Sequence, residues 1–379
     1  MKRLLALAAL TLTLTGCGAD DRPAHPLDGA SLAELEAKAR REGHVVVFSF
    51  TSRMADVEVA FEKRYPEIDL VWNELDSTTQ IARIVGQRRS GIGDADVAYL
   101  ADAPIVLSEL VEREALVRYV PPWLGDRVPA SATSPLLAQR LLTKVLLYDG
   151  RAFGDRAPVD NLWELTEPHW RGRVAMVDPL ERGDYLDLLT EVALHSDEME
   201  AAYRARYGRA PQLGDARNAG ERWILDLLAN DPRVVPAGAD ATDQVNALIG
   251  RADPDHALVG FSSYSDVRDN AETGRDLRVA TGVAPAPGIA YPALTGIVSG
   301  TESPAAARLL IAFLMGDGSA DGGPGYAPFR VAGDYPTRRD VTPHPGALSL
   351  EELGAWSMAP TETLSARRRV AELILATTP

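Results

Sequence analysis

The side chains able to do chemistry fall in short polar turns, each directly after an apolar run. Thr51-Ser52-Arg53 follows Val45-Val46-Val47-Phe48, and Asp76-Ser77-Thr78 follows the run from Ile68 to Trp72. Asp102 closes Leu100-Ala101-Asp102, Arg182-Gly183-Asp184 comes soon after Val174 to Val177, and Ser263-Tyr264-Ser265 comes just after Ala257 to Phe261. Hydroxyls, guanidinium forks and the free N–H groups of a helix start together suit phosphate, phosphonate or carboxylate. Arg53, Arg182 and Arg268 are the cations that could meet such an anion. Asp76, Asp102 and Asp184 cut against a purely anionic ligand and leave an amine, a sugar hydroxyl or a supporting role open. Each hydroxyl could equally cap a helix, a role compatible with ligand contact.

Other chemistries are disfavoured by what the sequence holds. No G-x-S-x-G elbow, H-E-x-x-H helix or P-loop occurs in it. Its six histidines are scattered singly, with His169, His195 and His344 in turns or near a helix end. One cysteine excludes an intrachain disulfide and a thiolate metal cluster. A formal charge of -15 disfavours nucleic acid and charge-driven adhesion to anionic lipid. The 379 residues, 46% hydrophobic and 25% charged, suit two soluble domains.

The polar turns need strands and helices to place them. A continuous apolar run bounded by Gly43 and hydroxyls reads as a strand buried on both faces of a parallel sheet. Ser31-Leu32-Ala33-Glu34 is a capping box that opens a helix to about Arg41, and Gly43 stops it. Ser52 is the expected N-cap of a helix burying Met54, Val57, Ala60 and Phe61. Ser77 to Gln80 reads as a second capping box, with Ile81, Ile84 and Val85 facing inward. Further strands are expected at Asp96 to Leu100, Leu141 to Tyr148, Val174 to Val177, Ala257 to Phe261 and Ala293 to Val298. Helices are expected at Leu107 to Leu116, Asp184 to Leu194, Met199 to Tyr207, Ala216 to Leu228, from Pro304 through Leu314, and Thr361 to Leu375. Pro285 to Pro292 and Gly316 to Gly346 read as loop. Alternating strand and helix predict doubly wound α/β layers.

The N-terminus carries a basic start (Lys2, Arg3), an apolar core from Leu4 to Leu14, and Leu14-Thr15-Gly16-Cys17. That is signal-peptide anatomy, too short to span a bilayer in the ordinary way, and the last four residues resemble a bacterial lipobox in which Cys17 is lipidated. The segment after it, broken by Pro23 and Pro26, reads as a tether.

From residue 30 to about 340 the order of elements resembles the extracellular solute-binding proteins of ABC importers. Within that two-lobed class II family it resembles the ferric-iron, phosphonate and sugar-phosphate binding group. The resemblance rests on the lipobox, Glu42-Gly43-His44-Val45-Val46-Val47-Phe48-Ser49, Phe61-Glu62-Lys63-Arg64-Tyr65-Pro66 and Asp94-Ala95-Asp96-Val97. It continues in Leu116-Val117-Arg118-Tyr119-Val120-Pro121-Pro122, the run from Trp170 to Pro179, and Gly296-Ile297-Val298-Ser299-Gly300. It implies a periplasmic-binding-protein type II fold: two doubly wound α/β lobes joined by crossover strands, with a ligand cleft between them.

The expected division is 1–17 signal peptide and lipidated cysteine, 18–29 tether, 30–138 plus 285–335 first lobe, 139–284 second lobe, and 336–379 C-terminal tail and helix. Implied partners are a small-molecule or ion ligand and ABC permease subunits, with membrane contact through the lipid anchor alone. No cofactor, nucleic acid or enzyme activity is expected, and the protein is expected to be a monomer. Iron-binding members carry adjacent tyrosines in the second lobe and a histidine after the first strand, whereas here Tyr264 is flanked by serines and Ser52-Arg53 stands after the strand. If iron were the cargo, Asp76 and Tyr264 would be its ligands. An exported lipoprotein hydrolase, or a structural envelope lipoprotein, are the readings from other classes.

Overall fold

The computed structural model describes residues 25–377 except 92, 239, 252, 254 and 255. Cys17, the lipobox and the start of the expected tether lie outside the described residues; its end is no free tether, because Leu27 is buried in the core and Asp28 accepts from buried Arg308 at 2.7 and 2.9 Å. Among the described residues the strands join one sheet. The first trio is β1 (His44–Ser49), β2 (Asp69–Glu74) and β3 (Val97–Leu100), in the parallel order β2-β1-β3. The short β4 (Leu116–Val117) follows, and then β5 (Leu137–Asp149). The second trio is β6 (Val174–Val177), β7 (Arg233–Val235) and β8 (Val259–Ser263), in the parallel order β8-β6-β7. β9 (Leu277–Val279), β10 (Gly288–Val298), β11 (Tyr335–Pro336) and β12 (Trp356–Ser357) complete the set.

β5 and β10 run antiparallel to each other; β10 also pairs with β3, and β5 with β8. At 13 and 11 residues they are about twice a usual strand. Paired with each other, they join the trios, β10 to the first through β3 and β5 to the second through β8, which is how a chain makes two lobes on one hinge. Apolar runs buried on both faces explain the parallel trios: β3 and β6 are buried at every position.

Most expected helices form, and the differences have local causes. The helix Leu32–Glu42 has its capping box at Ser31 and a left-handed Gly43. In Met54–Arg64 the N-cap is Arg53, not Ser52, and Ala60 is only partly buried. In Ser77–Ser90 the cap is Asp76, whose carboxylate accepts from the Thr79 N–H, while the Ser77 hydroxyl accepts from the Ala101 N–H. The expected Leu107 to Leu116 helix is instead a turn at Ala103–Val106 continued by a π-turn at Leu107–Val111, with Leu116 in β4. The expected loop at Pro285 to Pro292 is already strand from Gly288; Pro292 stands opposite Leu141 in the ladder, and its proline masked the strand pattern. The helix Ala241–Ile249 and the short edge strand β7 were not anticipated. None of the described helices is long and apolar enough to cross a membrane.

The first lobe is closed by chain segments far apart in sequence. Glu42, at the end of the first helix, accepts from the Ala305 N–H at 3.1 Å and the Ala306 N–H at 2.7 Å, capping the buried helix Pro304–Leu314. Ser303, the N-cap by position, makes no side-chain cap bond, so Glu42 supplies what it does not. Glu42→Ala should therefore lower unfolding stability by about 1 kcal/mol, read as a lower urea midpoint at unchanged slope.

Candidate functional site

On β5, Arg140, Leu142 and Lys144 share one face, because strand side chains alternate. Arg140 and Lys144 are 1% and 0% exposed, so both charges require neutralising partners. Arg140 donates to Asp334 at 3.0 Å, and Asp334 also takes Arg53 at 2.5 Å. Lys144 pairs with Asp184 at 3.0 Å, and Arg182 approaches the same carboxylate at 3.4 Å. Each group sets two cations against one carboxylate.

Tyr291, opposite Leu142 on β10, lies between them and donates to Asp184 at 3.4 Å. Its hydroxyl is pushed well up, first by burial and then by Asp184. Arg140 rests over the Phe329 ring at 4.3 Å and the Tyr99 ring at 5.3 Å. Burial lowers its pKa to about 10 against the opposing pull of Asp334, which leaves it charged at neutral pH. Burial would push the Asp184 carboxyl up, but Lys144 and Arg182 overcome it and hold the group at about 2.

The helix Gly183–Leu194 meets the first lobe directly. A Cβ on Gly183 would lie 2.0 Å from Asp102 Oδ2 and 2.6 Å from a guanidinium nitrogen of Arg367, so any larger residue there would push that pair aside. Asp76 of the first lobe is near enough to raise the pKa of Arg182, after Asp184, the larger cause. Two of the carboxyl-end turns of one lobe thus face those of the other, as expected of a cleft between α/β sheets.

The structure places the residues expected at the site as follows. Arg53, Asp102, Arg182 and Asp184 are joined in buried or half-buried ion pairs at the lobe boundary. Ser263 accepts from Lys144 at 3.4 Å. Ser52 and Thr78 are exposed, and Thr51 is half-buried with its hydroxyl accepting from the Arg53 N–H at 3.4 Å. Asp76 and Ser77 hold helix and turn backbone as described above. Tyr264 is 6% exposed and its hydroxyl accepts from the Leu348 N–H at 3.2 Å, while Ser265 is buried against Gly333. Arg268 turns to neighbouring Asp269, at the surface.

Arg140, Lys144, Tyr291, Asp334 and Arg367 were missed. Two basic residues four apart in a largely apolar strand were a usable signal for the first two; nothing local marks Asp334 or Arg367. The tail that carries them reaches the hinge: Tyr335 and Pro336 pair with Leu141 and Arg140, and the Thr337 hydroxyl donates to the Ala138 carbonyl at 2.7 Å.

No family model matches the sequence, and no curated protein matches it. Solved structures do. Iron-bound HitA from Pseudomonas aeruginosa superposes with a TM-score of 0.67 at 16% identity, over 89% of this chain and 99% of that one. AfuA from Actinobacillus pleuropneumoniae, a periplasmic binding protein with exogenous fructose-6-phosphate bound, gives 0.63 at 18% identity over 88% and 97%. The periplasmic binding protein P5PA gives 0.65 at 13% identity over 89% and 100%. The chain has the type II periplasmic-binding-protein fold. In this type II fold the crossover strands are β5 and β10, so the Arg140 and Lys144 groups sit on the hinge itself.

The pH dependence of the Asp184 group has a definite sign. A carboxyl held at about 2 in the folded chain against an ordinary 3.8 contributes stability in full above pH 4 and loses it as pH falls through 2. Asp184→Asn should destabilise the protein by about 3–5 kcal/mol near neutrality, because it leaves buried Lys144 without its counter-charge. The gap between the two urea midpoints should narrow between pH 4 and pH 2; a gap independent of pH would contradict the pairing.

Proposed function

We propose that the protein is the substrate-binding component of an ABC importer, capturing a small organic anion such as a phosphonate or sugar phosphate between its lobes and delivering it to the permease. The carrying observation is that one helix in each lobe starts at an arginine. Arg53 precedes Met54–Arg64 and Arg182 precedes Gly183–Leu194, and neither provides a side-chain cap. A guanidinium cannot accept a hydrogen bond, so each helix start pairs a positive dipole end with a cation, while the N–H groups of Met54, Ala55 and Asp56 already donate to the carbonyls of Thr51, Ser52 and Arg53. Both arginines keep solvent access, with side chains 13% and 35% exposed.

The fold is shared by structures holding iron and fructose-6-phosphate, so it does not choose between them. The charges around the hinge support the anion reading, because Lys144 and Arg182 repel a trivalent cation. No group of three His, Cys, Asp or Glu side chains suited to a metal occurs among the described residues. Asp76 is engaged by Thr79 at 2.9 and 2.6 Å, and the Tyr264 hydroxyl by Leu348.

We further infer that Cys17 is lipidated, that the exported protein is held by this anchor at the outer face of the cell membrane, and that it acts as a monomer by binding without turnover. The division proposed is 30–138 with 285–335 as first lobe and 139–284 as second, followed by the tail.

Calorimetric titration of the whole chain with inorganic phosphate, a hexose phosphate, an alkylphosphonate and ferric citrate tests this reading. At least one phosphorus compound should bind and raise the melting temperature. Arg53→Gln and Arg182→Gln should each weaken it by about tenfold or more. Tight ferric binding with no response to any phosphorus compound would replace the anion with iron, and conversion of any compound to product would favour a hydrolase.

A further inference from the structure

The C-terminal helix Pro360–Thr377 touches both lobes, and one of its side chains joins them. Most of its packing is on the second lobe, against Gly183–Leu194 and Ala219–Ala229, with a smaller contact on Ala103–Val106 of the first. Two polar ties fix it to the second lobe: Thr363 donates to Glu191 at 2.6 Å, and Arg369 forks onto Glu221 at 3.1 Å. Arg367, between them in sequence, reaches the other way. Its guanidinium grips Asp102 of the first lobe fork on fork, at 2.7 and 3.2 Å, with both side chains 9% exposed.

Asp187 of the second lobe lies 3.4 Å from the same guanidinium, but neither of its oxygens accepts a hydrogen bond. Burial and then Asp102 drive its carboxyl well up, and the hydrogen bonds of the Arg367 guanidinium go to Asp102.

We propose that Arg367 is an interlobe latch, holding the cleft closed by gripping Asp102 from a helix anchored to the second lobe. Separation of the lobes carries the helix with the second lobe, and the Arg367–Asp102 pair is the tie that must break. Since apparent affinity scales with the population of the closed form, a tail residue that need not touch the solute tunes how tightly it is held. Asp102 is then a closure residue rather than a ligand contact. The latch concerns the lobes and not the solute, so it stands or falls independently of what is bound.

Spin labels on Ala82 and Leu180, exposed residues of opposite lobes near the Asp76–Arg182 approach, read the cleft in ligand-free protein. The full chain would carry Ala82→Cys and Leu180→Cys with the sole native cysteine removed as Cys17→Ser. Arg367→Met, which keeps the stem, and Asp102→Asn, which keeps the shape, should each raise the ratio of long to short label distances by about tenfold. Arg369→Gln, which loosens the same helix within one lobe, should leave the ratio unchanged. An unchanged distribution in Asp102→Asn overturns the latch even if Arg367→Met fails to fold. An equal shift in Arg369→Gln overturns it too, because helix docking alone would then account for closure.

Discussion

Two cations buried on the hinge strand β5 set the terms for much of this structure. Arg140 and Lys144 are removed from water, and a charge so placed is tolerated only with an opposite charge and well-aimed donors and acceptors. Neither finds its carboxylate on its own strand. Lys144 takes Asp184 from the second lobe, and Arg140 takes Asp334 from the segment that follows the last helix of the first. The hinge is thereby tied to elements that must be in place before it is electrostatically complete. Arg53 and Arg182 join the same carboxylates from the cleft side, so cleft and hinge share one electrostatic network.

The tail beyond Gly333 is as much a part of that network as the lobes. It extends the hinge sheet through β11 and β12, which pair with β5 and β10, and it holds Tyr264 through Leu348. His195 and Trp356 stack with ring centres 4.4 Å apart, fastening β12 to the second lobe near the start of the C-terminal helix. Gly333 is left-handed, and a Cβ there would also lie 2.6 Å from the Ser265 nitrogen, so glycine lets the tail approach the Tyr264 turn backbone to backbone. These ties explain why a segment rich in glycine and proline, with little secondary structure, is buried at Asp334, Tyr335 and Arg338.

The fold was legible where local rules and burial agree. The apolar runs of β1, β3 and β6, the Ser31 capping box and Gly43 speak for themselves, and their order carried the two-lobed expectation. What stayed hidden depended on contacts distant in sequence. Asp76 displaced Ser77 as a cap because two candidate acceptors stood side by side. Ser52 gave way to Arg53 because the turn bends one residue later. The partner of Asp102 is an arginine 265 residues away, which no pattern could supply. Polar turns after strands meet at the lobe boundary, yet several of their side chains serve the protein's own charges.

The order of strands carries a consequence for how the chain assembles. β10 completes the first lobe between β3 and β5, and Glu42 caps a helix that begins only at Pro304. All of β6 to β9 is synthesised in between. The N-terminal lobe is therefore the later of the two to finish, with loops of some two hundred residues to close before β3 meets β10. Such long-range closure is slow, and it keeps the first trio of strands unfinished until most of the polypeptide has emerged.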